Sequence, residues 1–193
     1  MDSERPPSSH DLILWAAERA ATLLAPLGNR WLHVQGVVER ADWVGAIFDE
    51  EDRFFLIAAA YLHDIGYAPS LLTTGFHPID GASYLRSCHQ ERLASLVAYH
   101  SEAQYEAQLR GLASQLALFP REYSAVADAL TYCDMTTDSV GRLVSFQERI
   151  ADIFRRYEET HLVAQAIHQA LPALTLAVER TQQRLLDQHI LQE

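Results

Sequence analysis

Nine consecutive apolar residues, Phe54 to Leu62 (FFLIAAAYL), run directly into two ionisable ones, His63 and Asp64. The run is far below the ~18 residues a membrane span needs. It therefore predicts a buried helix over 52–63, with His63-Asp64 where that helix surfaces into a loop. The pair reads in two ways. It is a capping and hydrogen-bonding pair at a helix end, or it supplies ligands to a borderline or hard divalent metal. Two adjacent ligands do not close a site, so a metal would draw partners from elsewhere in the chain.

The remaining sequence carries apolar positions at helical spacing and no convincing alternating strand. Helices are expected over 11–25, closed by Pro26, Gly28 and Asn29, and over 30–48. Gly66, Pro69 and residues 73–75 make a loop, after which Pro78 suits the first turn of a helix with Asp80 near its positive end. Further helices are expected over 91–100 and 104–117, and from Pro120 to about Asp134. A polar turn at 135–141 precedes helices over 142–157 and 160–190, the last broken or kinked at Pro172. Trp15, Trp31 and Trp43 suit core or interface anchors, and Asp49 to Asp52 a solvated corner. The expectation is all-α: one helical bundle over 11–193 behind a flexible 1–10, with a core at about 30–140 and C-terminal helices over 142–190.

A chain of 193 residues is long enough for one domain and short for two. Its formal charge is −11 and its 15 cationic side chains are all Arg. That balance argues against a nucleic-acid polymer as partner, while a small phosphorylated substrate needs only a local cluster of metal and Arg. The two cysteines, Cys88 and Cys133, form no Cys-x-x-Cys pair and suit small buried hydrophobes. With a polar N-terminus lacking an apolar signal core, they point to a cytoplasmic protein without a membrane partner.

The nine histidines matter by position. His33 lies on the helix before the apolar one, with Gly36 and Arg40 on its face at i+3 and i+7. The small residue is expected to leave room for a metal and substrate, and Arg40 to reach a phosphate oxygen. Asp134 sits among apolar neighbours near a helix end, where a carboxylate is either paired or a ligand.

His33, then His63-Asp64, then Asp134 resembles the H…HD…D pattern of the HD-domain metal-dependent phosphohydrolase superfamily. The stretches HDIGYAP at 63–69 and GFHPIDGASYL at 75–85 are similar to it too, and the resemblance spans about 30–140. It implies one metal held by His33, His63, Asp64 and Asp134. In two-metal members two more histidines fall between, and His77 and His100 match them, with Asp64 bridging. Tyr67 stands where many members have Lys, offering a hydrogen bond but no cation; Tyr99 stands where some two-metal members have a second His. The implied activity is hydrolysis of a phosphomonoester or phosphodiester by metal-activated water, with His63 and Asp64 at its centre. One or two divalent ions are implied, with Mn, Fe, Zn, Mg and Ni not distinguished.

Blander readings stand beside these. His77 also suits a loop residue, His100 a helix-end cation, and Asp134 a cap for the turn at Thr136 to Asp138. Glu158-x-x-His161 has di-iron spacing but lacks a second copy, so it reads as a solvated face. A non-catalytic HD-fold regulatory module and a di-iron oxidoreductase are the competing functions. The C-terminal helices either pack on the domain or form a homodimer contact.

Overall fold

The computed structural model describes residues 9–189. These residues form ten α-helices joined by turns and short 3-10 segments, and no strand. The helices are α1 (Ser9–Leu24), α2 (Asn29–Val44), α3 (Glu50–Leu62), α4 (His77–Ser87), α5 (Glu91–Tyr99), α6 (Gln104–Leu109), α7 (Ala113–Leu116), α8 (Ala125–Met135), α9 (Phe146–Arg156) and α10 (Leu162–Asp187). The expected flexible segment 1–10 falls mostly outside the described residues.

The apolar run occupies the middle of the bundle. α3 packs on α1, α2, α5 and α8. Leu56, Ala58, Ala59, Ala60 and Leu62 are fully buried. The three alanines let neighbouring helices approach closely, while each large buried side chain contributes roughly 1.5–3 kcal/mol. Asp49 starts the helix by accepting from Asp52 N at 2.9 Å. Trp15, Trp31 and Trp43 are partly buried against the core. Both cysteines are free thiols, with Cys133 buried and Cys88 half-buried. Among the described residues, no helix is long and apolar enough to cross a membrane.

Several boundaries differ from expectation, each for a local reason. The span 104–117 divides into α6 and α7 around Gly111, whose φ of 71° leaves the helical region. No helix opens at Pro120, whose carbonyl accepts from the Ser95 hydroxyl. The start falls instead at Ser124, whose hydroxyl accepts from Ala127 N at 3.2 Å. The 142–157 helix begins only at Phe146, behind a capping box between Ser145 and Glu148. α10 runs through Pro172 without breaking, its Leu174 and Val178 buried and its length packed on α6 and α8. His161 caps α10 by accepting from Val163 N at 3.2 Å, which accounts for it without a second metal centre. Ser145→Ala is expected to cost about 1 kcal/mol and to lower the melting temperature by roughly 2–4 °C. An unchanged melting curve would show that the capping box contributes nothing.

Candidate metal centre

α3 ends at His63, whose Nδ1 lies 2.8 Å from the Ala60 carbonyl. That carbonyl belongs to the last helical turn, where intrahelical partners run out. α5 ends the same way, with His100 Nδ1 2.6 Å from the Val97 carbonyl. His33, in the second turn of α2, places Nδ1 2.8 Å from the carbonyl of Asp138, 105 residues away. A carbonyl only accepts, so in each neutral ring Nδ1 carries the proton and Nε2 presents a lone pair.

Those lone pairs converge on one carboxylate. Asp64 Oδ2 lies 3.4 Å from His63 Nε2 and 3.9 Å from His33 Nε2. Oδ1 lies 3.3 Å from His77 Nε2 and 4.0 Å from His100 Nε2. His77 and His100 bring their Nε2 atoms within 3.2 Å of each other. Asp134 Oδ1 is 3.0 Å from His33 Nε2, and its other oxygen accepts from the Ser101 hydroxyl. His63 Nε2 is fully buried and makes no hydrogen bond. Two sets of donor atoms thus lie within 4.8 Å of one another: His33, His63 and Asp64, and Asp64, His77 and His100. Buried acceptors facing acceptors are unfavourable unless a cation stands between them, so these donors fit a divalent metal.

The electrostatics agree. Burial works to raise the Asp64 carboxyl, but His63, Arg30 and His77 outweigh it and hold the group well below the usual carboxylate range. Asp134 is likewise held low, its burial outweighed by His33, whose Nε2 lies 3.0 Å from Oδ1, and by His63 and Arg149 nearby. Burial lowers His77 well below its ordinary value and also lowers His100, next to His63. Burial opposes charge on His63 as well, yet Asp64 beside it raises that imidazole.

The site lies at the bottom of a cleft of about 120 Å³ lined by Arg30, Tyr67, Ser101, Met135, Arg149 and Ile153. Larger hollows of about 550 and 530 Å³ exist, the second also lined by His100, but neither is lined by Asp64, Asp134 or Arg149. Tyr67 stacks on His77 with ring centroids 4.0 Å apart, under the Arg30 guanidinium at 4.0 Å. Burial raises the Tyr67 phenol and Asp64 raises it further, so it remains a neutral hydrogen-bonding group.

Two expectations about α2 are corrected. Arg40 does not line the cleft; it donates to the Tyr132 hydroxyl and lies over the Trp43 and Tyr132 rings. Nor does Gly36 make room for substrate. A Cβ there would collide with the Gly141 backbone, 2.6 Å from its Cα, so the missing side chain admits the 137–143 loop. Gly141 needs its φ of 85° to make that approach. The loop carries the Asp138 carbonyl that orients His33.

Three cleft residues escaped the sequence reading. Arg30 donates to Asp64 Oδ2 at 2.6 Å, and its position three residues before His33, on the same face, was a usable signal. Ser101 follows His100 in a left-handed conformation, φ 48°, which brings its hydroxyl to Asp134. Arg149, on α9, is only 8% exposed and places Nη2 3.7 Å from Asp134 Oδ1. Its Nε and Nη1 have no hydrogen-bond partner. Nothing in the sequence around Arg149 sets it apart.

A family model described as HD domain matches residues 30–170. Comparisons with curated proteins and with solved structures gave no match. The HD match and the two His/Asp clusters support metal-dependent phosphohydrolase chemistry in general terms. In sequence and in the all-helical fold that gathers its histidines, the chain belongs to the HD-domain family.

Proposed function

We propose that the protein hydrolyses a phosphoester of a nucleotide or another small phosphorylated metabolite, using one or two divalent ions. The observation that carries this reading is the set of Nε2 lone pairs, two on each oxygen of Asp64. His33, His63 and Asp64, with Asp134 adjoining, would hold one ion, and His77, His100 and Asp64 a second. A divalent ion there supplies water with a pKa of roughly 7 and positive charge for the phosphoryl oxygens. Imidazole and carboxylate donors suit Mn, Fe, Zn or Ni, and Mg to a lesser degree.

The protein's own groups have separate tasks. The Ala60, Val97 and Asp138 carbonyls fix three tautomers, and Arg30 fixes the orientation of Asp64. Tyr67 holds the His77 ring from one face. Met135, Ile153 and Ile167 give the cleft apolar walls that exclude bulk water and strengthen charge interactions within it. The −11 formal charge supports a small substrate over a nucleic-acid polymer.

The test is metal analysis of the purified protein, with phosphate release measured across a nucleotide panel before and after chelation and with added manganese. Release that chelation abolishes and manganese restores is the expected result. No bound metal and no release with any metal would reject the hydrolase reading. Arg30→Ala is expected to lower metal affinity or activity by about 10–100-fold, as loss of an outer partner of a ligand commonly does. Unaltered affinity and rate would show that Asp64 needs no such support.

A further inference from the structure

We propose that Arg149 is the receptor for a phosphoryl oxygen of the substrate, and that the cleft takes the terminal dianionic group of a phosphate monoester. This rests on the hydrolase reading above. A guanidinium carries five N–H donors and no acceptor. In Arg149 the Nε and Nη1 donors are buried and unpartnered, while the side chain lines the cleft over the His/Asp cluster. Leaving charged donors buried and unsatisfied is costly, so the arrangement suits a group that arrives with the ligand.

Asp134 does not fill that role. Its Oδ1 is 3.7 Å from Arg149 Nη2, past hydrogen-bond reach, and already meets His33 at 3.0 Å. Its Oδ2 accepts from Ser101. Nε and Nη2 lie on one edge of the guanidinium and form a fork that matches two oxygens of a phosphate, while Nη1 points away from that edge.

Charge and volume define the ligand further. Arg30 and Arg149 balance Asp64 and Asp134, and Glu106 at the rim is paired with Arg110 at 2.6 Å. Before metal the cleft is therefore formally neutral, and a single divalent ion leaves it complementary to a dianion. Its volume is about 120 Å³. That space admits a phosphoryl group, whereas drug-sized ligands occupy pockets of about 300–1,000 Å³. The rest of the substrate stays outside the cleft. A diester, with one charge fewer and substituents on both sides of phosphorus, fits poorly.

The experiment compares the metal-loaded full-length protein with Arg149→Met and Arg149→Lys. It measures metal content, affinity for inorganic phosphate by calorimetry, and kinetics on monoesters and a matched diester. R149M is expected to keep its metal, to bind phosphate about 10–100-fold more weakly, and to raise KM for monoesters. R149K keeps the charge but loses the fork, so its phosphate affinity falls by about 3–10-fold; it decides the matter if R149M does not fold. Full phosphate affinity in a metal-loaded variant overturns the proposal, as does loss of metal from R149M, which would make Arg149 a support for Asp134. Diester turnover by the unaltered protein equal to its monoester turnover overturns the substrate class. Failure of the unaltered protein to release phosphate with any metal overturns the hydrolase reading itself.

Discussion

Replacing Asp64 by alanine is expected to abolish metal-dependent phosphate release and to leave the purified protein without stoichiometric metal. Each oxygen of this carboxylate faces a different pair of imidazoles, so its removal opens both donor sets at once. Losing an outer partner of a ligand costs about 10–100-fold in metal affinity or activity; losing the shared group should exceed that. The fold itself has less at stake, because the imidazoles stay anchored to the Ala60, Val97 and Asp138 carbonyls. Circular dichroism should therefore show a folded helical protein while metal analysis shows a near-empty one. Asp134→Ala is the informative companion, since its one imidazole contact is with His33, and it should weaken that donor set more than the His77–His100 pair. Normal metal content and rate in D64A would refute the assignment of the site.

The second large effect is expected at a position with no side chain. Gly66 lies in the 3-10 turn after the His63-Asp64 pair, packed against the first turn of α4. A Cβ there would overlap the His77 carbonyl oxygen and stand 2.7 Å from Gly81 N. Both are backbone atoms, so no rotamer change relieves the contact and α4 must move as a unit, carrying His77. Gly66→Ala is thus expected to cost about 1–3 kcal/mol or more, a fall in melting temperature of roughly 3–10 °C. Metal bound through His77 and His100 should weaken more than metal bound through His33 and His63. Equal stability and unchanged metal content would mean that the two backbones can separate without consequence.

These cases show what can be read from the chain and what cannot. The helices were legible because apolar spacing is a local property, and their limits failed where a distant group intervened. At Pro120 the first-turn preference of proline suggested a start, but Ser95, 25 residues away, takes that carbonyl and Ser124 caps the helix instead. The four histidines singled out do gather around Asp64, with Asp134 reached through His33, since order along the chain carried that information. Which arginine joins them was not legible. Arg30 and Arg40 both share the face of His33, on opposite ends of α2, and only the packing decides which end meets Asp64. The same holds for Gly36, where a missing side chain signals close approach without saying of what.

One apparent choice dissolves altogether. His63 could be read as a helix-end hydrogen-bonding group or as a ligand, and the two readings use different atoms of one ring, as they do in His100, whose lowered pKa removes the helix-end cation. Nδ1 satisfies a terminal carbonyl, which is what aims Nε2 at Asp64. An arrangement needed for helix termination therefore also prepares the donors.

The long-range bond from His33 to the Asp138 carbonyl imposes an order of assembly. His63 and His100 are oriented by carbonyls three residues back and can settle as soon as their helices form. His33 must wait until 105 further residues have been made and the Gly36–Gly141 contact has closed. Closing so long a loop is slow relative to local helix formation. A nascent chain ending before α8 thus holds Asp64, His77 and His100 but lacks Asp134 and the carbonyl that fixes the His33 tautomer. The His33 side of the cluster is consequently the last to be completed, only once the Gly36–Gly141 contact has closed.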